Sequence, residues 1–216
     1  MKVCTDSCLF GALVEVSNAG TILDIGAGTG LLSLMLSQKT QSTIIALEPD
    51  EDACSQAAEN VSISPFHNII VLPFTIQKYA MVADARFDLI VCNPPFYKNY
   101  LKSSNTQYNS SIHSSALPFD ELVATTKKLL SEDGAFWLLL PNFEFNSFIR
   151  LADEYKLHLN RRFTVFHNSN SEPIRTIGVF SNNESSVINK NIYIKTVDNV
   201  YTEEFKSLLQ DYYNIF

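Results

Sequence analysis

The stretch Thr21–Gly30, which reads TILDIGAGTG, decides the fold. Its first half is apolar and predicts a buried strand. Gly26, Gly28 and Gly30 then occupy alternate positions before a segment with helical spacing that begins at Leu31. Glycine permits tight turning and the close approach of a ligand, and a helix N-terminus offers unpaired N–H groups. The stretch therefore predicts a strand, a turn and a helix, with a ligand site at the turn.

Three side chains around this turn bear on the nature of the ligand. Leu31 stands where a dinucleotide-binding fingerprint has its last glycine, which serves close helix packing. Asp24 precedes the turn, and a carboxylate there would repel a pyrophosphate but could accept hydrogen bonds from an ammonium group. Glu48 ends the second predicted strand and can accept hydrogen bonds from the ribose hydroxyls of either cofactor. Leu31 and Asp24 thus favour S-adenosylmethionine over NAD.

Strand-like and helix-like patterns alternate along most of the chain. Apolar runs predict strands at 22–25, 43–47, 68–72, 87–92 and 135–140, then two late strands at 157–166 and 175–180. Helical spacing predicts helices at 31–38, 49–61, 120–130 and 143–155. This alternation predicts an α/β, Rossmann-like fold: a mostly parallel seven-stranded sheet with an antiparallel edge hairpin and helices on both faces. The ligand crevice is expected at the C-terminal ends of the first strands.

The 216 residues are expected to form a single domain, because no linker or repeat divides them. We expect a helix on the cofactor and substrate side within residues 1–18, the core within 19–181, and a C-terminal strand and helix within 182–216. No apolar run approaches the ~20 residues of a membrane span. Since the N-terminus also lacks the apolar core of a signal peptide, we expect a cytoplasmic location.

Composition limits the kinds of site that the chain can carry. Its four cysteines form no CxxC pair and no histidine spacing completes a zinc site, so no metal is expected. A formal net charge of −7 argues against a protein that holds nucleic acid by bulk charge, so a nucleic-acid substrate requires a local basic patch. The candidates for such a patch are Lys98 with Lys102, Lys127 with Lys128, and Arg161 with Arg162.

The motif Asn93-Pro94-Pro95-Phe96 directly follows the predicted strand at 87–92. Its two prolines fix the backbone and remove two N–H donors, so the loop presents carbonyl oxygens beside the Asn93 amide oxygen. Two such acceptors can hold a planar –NH2 group through both hydrogens, and Phe96 supplies a face for stacking. Acceptors placed there stabilise the positive charge that develops when a conjugated amine attacks a methyl donor. The motif therefore predicts methylation of an exocyclic or amide nitrogen.

Together, the glycine-rich turn, Glu48 and Asn93-Pro94-Pro95-Phe96 resemble the class I S-adenosylmethionine-dependent methyltransferases that modify such nitrogens. The start of the chain, KVCTD at residues 2–6 with LFGA at residues 9–12, is similar to a narrower group, the bacterial tRNA(Val) adenine N6-methyltransferases. The resemblance covers nearly the whole chain. It implies N6-methylation of an anticodon-loop adenine of tRNA(Val), with S-adenosylmethionine as the cofactor and tRNA as the partner.

The resemblance also implies which residues act. The cofactor would be bound by Asp24, Gly26, Gly28, Glu48, the turn at Thr5 and Asp6, and Thr75, which stands where the family has an acid. The target adenine would be held by Asn93, Pro94, Pro95 and Phe96. Three alternatives remain open: glutamine N5-methylation of a protein, guanine N2-methylation of rRNA, and a non-catalytic methyltransferase fold that binds cofactor or RNA.

Overall fold

The computed structural model describes residues 5–94 and 117–213. The helices there are α1 (Thr5–Leu13), α2 (Leu31–Ser37), α3 (Glu51–Ser62), α4 (Ile76–Val82), α5 (Phe119–Leu129), α6 (Asn142–Glu154) and α7 (Glu203–Leu209). The strands are β1 (Thr21–Ile25), β2 (Thr43–Leu47), β3 (Ile69–Leu72), β4 (Phe87–Cys92), β5 (Leu130–Leu140), β6 (His158–Phe166), β7 (Pro173–Ser181) and β8 (Ile188–Tyr193). None of these helices is long and apolar enough to cross a membrane.

The strands form one sheet in the order β3-β2-β1-β4-β5-β7-β6-β8, and β7 alone runs antiparallel to its neighbours. The chain winds outward from β1 to β3 and then returns to place β4 on the other side of β1. Such a reversal opens a crevice at the C-terminal ends of the two central strands. Because Ile25 is paired with Cys92, the residues that follow β1 and β4 emerge side by side at this crevice.

Helices cover both faces of the sheet, as the alternating pattern predicts. One hydrophobic cluster joins the sheet to α1, α2 and α7, and in it Trp137 stacks on Phe163 with ring centroids 5.9 Å apart. A second cluster joins the other face to α4, α5 and α6, and in it Phe148 meets Phe180 edge to face at 5.4 Å. Burial of these large rings supplies much of the driving force for stacking the layers.

Among the described residues the sheet has eight strands rather than the seven predicted, and the antiparallel hairpin of β6 and β7 is not at its edge. The outermost position is taken by β8, which pairs in parallel with β6. A C-terminal strand was expected within 182–216, but its place in the sheet was not. In β8 only Ile192 is buried and the residues before it are exposed, so the strand lacks an apolar alternation.

Two further differences from the predictions concern a short helix and the start of a strand. Helix α4 was not predicted, because it is short and its last residues, Met81 and Val82, are 82% and 74% exposed, which obscures an apolar stripe. Strand β5 begins at Leu130, five residues before the predicted start, because it opens with a polar segment, Ser131–Asp133. A register shift between Phe87 and Leu89 of β4 accompanies this opening segment.

Candidate active site

The glycine-rich turn has the left-handed backbone that its sequence predicts. Gly26, Gly28 and Gly30 have φ angles of 70°, 57° and 81°, which side chains with a Cβ rarely adopt. The N–H groups of Gly26 and Ala27 both donate to the Leu47 carbonyl at 2.9 Å, which ties the turn to the end of β2. A Cβ added at Gly26 would meet no atom within 4 Å, so the turn faces open space. A ligand can therefore approach the backbone at this point.

Asp24 lies in β1, just before the turn, and is 1% exposed. Its Oδ2 accepts a hydrogen bond from Ser33 Oγ at 2.7 Å, at the base of α2. Burial raises the pKa of the Asp24 carboxyl to about 6, the nearby Glu48 carboxylate adds to the increase, and the Ser33 bonds oppose it. The Ser33 bonds offset only part of the cost of burying this negative charge. A cationic ligand group beside the carboxylate would offset more of it and would lower the pKa toward its ordinary value.

The raised pKa of Asp24 predicts a pH-dependent loss of stability in the ligand-free protein. The folded protein holds this proton up to a pH of about 6, whereas the unfolded chain releases it near 3.8. The folded state therefore binds more protons between these values, and its free energy of unfolding falls as the pH rises through them. Relative to Asp24→Asn, the wild type should lose about 3 kcal/mol across this interval, at about 1.4 kcal/mol for each pH unit.

Urea unfolding of the wild type and Asp24→Asn, from acidic to neutral pH, measures this difference. The variant is the matched control, because every other titrating group is common to both proteins. A difference in unfolding free energy that does not change with pH would show that Asp24 is ionised as easily in the folded protein as in the unfolded chain.

Glu48 follows β2 and is 9% exposed. Its Oε2 accepts from the Gly28 N–H at 2.7 Å and its Oε1 accepts from the Asp50 N–H at 2.9 Å. The carboxylate thus connects the turn to Asp50, whose side chain caps α3 by accepting from the Ala53 N–H. The structure brings Asp24, Gly26, Gly28 and Glu48 to one end of the sheet; their binding of a cofactor stays a prediction.

Asn93 and Pro94 follow β4, beside the end of β1. The Asn93 Nδ2 donates to Ser7 Oγ at 2.8 Å. The Asn93 Oδ1 is buried, and no described residue donates a hydrogen bond to it. A buried acceptor without a partner is unfavourable by about 1–3 kcal/mol, so a donor from a ligand would be favourable at this oxygen. Pro95 and Phe96, the rest of the predicted motif, lie outside the described residues.

The remaining predicted cofactor residues have partners within the protein. The Asp6 Oδ2 lies 2.8 Å from Arg175 Nε of β7, and the Thr5 side chain bonds to Tyr213, so both residues hold α1 in place. Thr75 follows β3 at the crevice end, where its hydroxyl caps α4 by accepting from the Lys78 N–H at 3.2 Å. Contact of these residues with a cofactor stays a prediction.

Two side chains of the site were not found from the sequence. Ser33 supports Asp24, and Ser7 contacts Asn93 across 86 positions of the chain. Neither serine belongs to a motif, and a single serine on a helix carries no pattern that indicates its partner. Ser33 could have been suspected, since it is in α2 directly after the turn, whereas Ser7 is brought to Asn93 only by the packing of α1.

The arrangement offers acidic groups beside a glycine turn and, next to them, an amide oxygen to which no described residue donates. These acceptors suit a ligand with an ammonium group and ribose hydroxyls, and a second ligand with an N–H donor. In the part of the chain that is described, no group of three or more His, Cys, Asp or Glu residues could hold a metal ion.

Known proteins are similar to this chain in sequence and in fold. Residues 5–164 match the family described as the methyltransferase small domain. The chain is 39% identical over 218 residues to the tRNA1(Val) (adenine(37)-N6)-methyltransferase of Dyadobacter fermentans, covering 99% of this chain and 90% of the relative. It is 34% identical over 216 residues to that of Escherichia fergusonii, covering 99% and 88%.

Solved structures of lower identity show the same fold. A predicted O-methyltransferase from Agrobacterium tumefaciens has a TM-score of 0.73 at 13% identity, covering 95% of this chain and 96% of that one. A ribosomal protein L11 methylase from Lactobacillus delbrueckii subsp. bulgaricus has a TM-score of 0.60 at 16% identity, covering 82% and 77%. With fold and sequence in agreement over nearly its whole length, the chain belongs to the methyltransferase small domain family, alongside the bacterial tRNA1(Val) (adenine(37)-N6)-methyltransferases.

Proposed function

We propose that this methyltransferase transfers a methyl group from S-adenosylmethionine to the N6 amino group of adenine 37 in tRNA(Val). The names of its relatives support the choice of substrate. The single structural observation that carries the proposal is the Asn93 Oδ1, a buried acceptor at the crevice that no described residue satisfies. A tRNA substrate is consistent with a cytoplasmic enzyme.

The described residues fit the cofactor. The open space beside Gly26 would let the cofactor approach the backbone of the turn. Asp24 would attract the ammonium group of the cofactor. Glu48 would accept hydrogen bonds from the ribose hydroxyls, while its bond to the Gly28 N–H keeps the carboxylate at the turn. When bound, the cofactor supplies an electrophilic methyl group on a sulfonium.

Asn93 would act on the substrate. The lone pair of the adenine amino nitrogen is delocalised into the ring, so this nitrogen is a weak nucleophile. A hydrogen bond from the amino group to Asn93 Oδ1 increases electron density on the nitrogen and strengthens as positive charge develops there. Pro94 has no N–H group, so it offers the substrate no competing donor. The methyl group would pass from the sulfonium sulfur to the nitrogen as the C–S bond breaks and its electron pair stays on sulfur, and the nitrogen would then release one proton to solvent.

The target base must leave its stack to reach this oxygen. An anticodon loop is single-stranded, so unstacking an adenine there requires less free energy than in a duplex. The negative net charge of the protein means that recognition depends on local contacts rather than on bulk attraction to phosphates.

The test adds purified protein and labelled S-adenosylmethionine to an extract, containing tRNA, rRNA and protein, of cells that lack the modification. Mass spectrometry of the digested RNA should show N6-methyladenosine, and the labelled fragment should contain position 37 of tRNA(Val). Unlabelled tRNA together with labelled protein in the same extract would instead support glutamine methylation. Labelled N2-methylguanosine in rRNA would support the guanine alternative, and binding of cofactor without transfer to any of these would support a non-catalytic fold.

A further inference from the structure

The contact between α1 and the end of β4 has a consequence for catalysis. We propose that Ser7 is a positioning residue, which holds the Asn93 side chain in place so that its amide oxygen stays where a substrate amine can reach it. The proposal rests on the function proposed above, because it concerns the group that would accept the substrate amine.

An asparagine amide has two ends of similar size and opposite hydrogen-bonding character. The oxygen accepts hydrogen bonds, whereas the –NH2 group donates two. If the amide were turned by half a rotation, it would present donors to an amine whose hydrogens need acceptors. Catalysis by Asn93 therefore requires one orientation of the amide and a fixed position of its oxygen.

Ser7 is placed to hold the amide by its nitrogen end. Its Oγ accepts from Asn93 Nδ2 at 2.8 Å, a normal distance for such a bond. Among the described residues it is the one side-chain partner of the Asn93 amide, and the amide oxygen is buried with no donor. The structure thus shows the nitrogen engaged by Ser7 and the oxygen available, which is the orientation that binding of an amine requires.

The helix that carries Ser7 is fixed at both ends, so the serine is a rigid reference point. Near its start, Asp6 pairs with Arg175 at 2.8 Å. At its end, Lys39 Nζ donates to the carbonyls of Gly11, Ala12 and Val14 at 2.7, 2.8 and 3.1 Å. Between these anchors Phe10 is fully buried. A hydroxyl on such a helix can hold an amide without the entropy loss that a mobile residue would add.

The experiment compares single-turnover methylation of tRNA at saturating cofactor. Ser7→Ala should lower the rate about five- to tenfold, the effect expected for one orienting hydrogen bond. Affinities for S-adenosylmethionine and tRNA and the midpoint of thermal unfolding should not change. Ser7→Thr, which keeps the hydroxyl, should restore most of the rate. Ser62→Ala is the matched control, since that hydroxyl bonds only to the Glu59 carbonyl of its own helix.

A double variant separates positioning from a structural role. In Ser7→Ala combined with Asn93→Ala, the serine should add no loss to that of the asparagine, because no amide remains to be oriented. Additive losses, or a loss in Ser7→Thr equal to that in Ser7→Ala, would overturn the proposal. A normal rate in Ser7→Ala together with a large loss in Asn93→Ala would overturn the role of Ser7 alone. A normal rate in Asn93→Ala would overturn the proposed role of Asn93 as well.

Discussion

Asn93→Ala is expected to lower the rate of methyl transfer by at least about 100-fold, the usual loss when one group that stabilises the transition state is removed. The affinity for S-adenosylmethionine should stay unchanged, because Asn93 is proposed to bind the substrate and the proposed cofactor residues are on other elements. Single-turnover kinetics with tRNA and calorimetric titration with the cofactor measure the two quantities.

Two further variants make this result specific. Asn93→Asp keeps the oxygen that accepts and should retain a measurable part of the rate that Asn93→Ala loses. Asn189→Ala is the matched control, because this asparagine lies in the edge strand β8 and bonds only to the carbonyl of Val187. If Asn93→Ala folds normally and methylates tRNA at the wild-type rate, the proposed binding of the substrate amine at Asn93 is wrong.

Glu48→Ala is expected to weaken the binding of S-adenosylmethionine by about 100-fold. Each hydrogen bond from a ribose hydroxyl to a carboxylate is worth about 1.5–3 kcal/mol, and the Gly28 and Asp50 N–H groups that already bond to this carboxylate reduce the gain, so a loss near the lower limit for two bonds is expected. The variant also removes the acceptor of the Gly28 N–H and so loosens the turn. Isothermal titration of the purified protein measures the effect.

Two control variants define the origin of that loss. Glu48→Gln keeps one acceptor oxygen without the charge, so its affinity should fall between those of the wild type and Glu48→Ala. Glu51→Ala removes an exposed acid from the first turn of α3 and should bind the cofactor normally. Unchanged affinity in Glu48→Ala would mean that this carboxylate only supports the turn and does not contact the cofactor.

The central part of the fold could be predicted because its strands are short, apolar and buried. β2 and β4 have the predicted bounds, and β1 differs by a single residue. Their parallel order follows from the alternation with helices, and the glycines at 26, 28 and 30 specify the turn. The predictions failed at the periphery, for the place of β8 and the existence of α4. Both elements are only partly buried, so their sequences show no clear periodicity of apolar residues.

The candidate site likewise has residues that the sequence predicts and contacts that it does not. The two carboxylates could be predicted because Asp24 lies near the end of β1 and Glu48 directly follows β2. Neighbouring parallel strands end together, so these side chains are brought to the same edge of the sheet. The support given by Ser7 could not, since it depends on how α1 packs across the sheet, a tertiary contact between residues far apart in the chain. The orphaned oxygen of Asn93 likewise appears only when every described neighbour has been placed around it.

The most direct test of the account is a crystal structure with S-adenosylhomocysteine and an anticodon stem-loop of tRNA(Val). In this complex the N6 of the flipped adenine is expected to lie about 2.7–3.2 Å from Asn93 Oδ1 and to point toward the cofactor sulfur. An adenine amino group bound elsewhere, or an Asn93 oxygen occupied by a donor from the protein itself, would contradict the account.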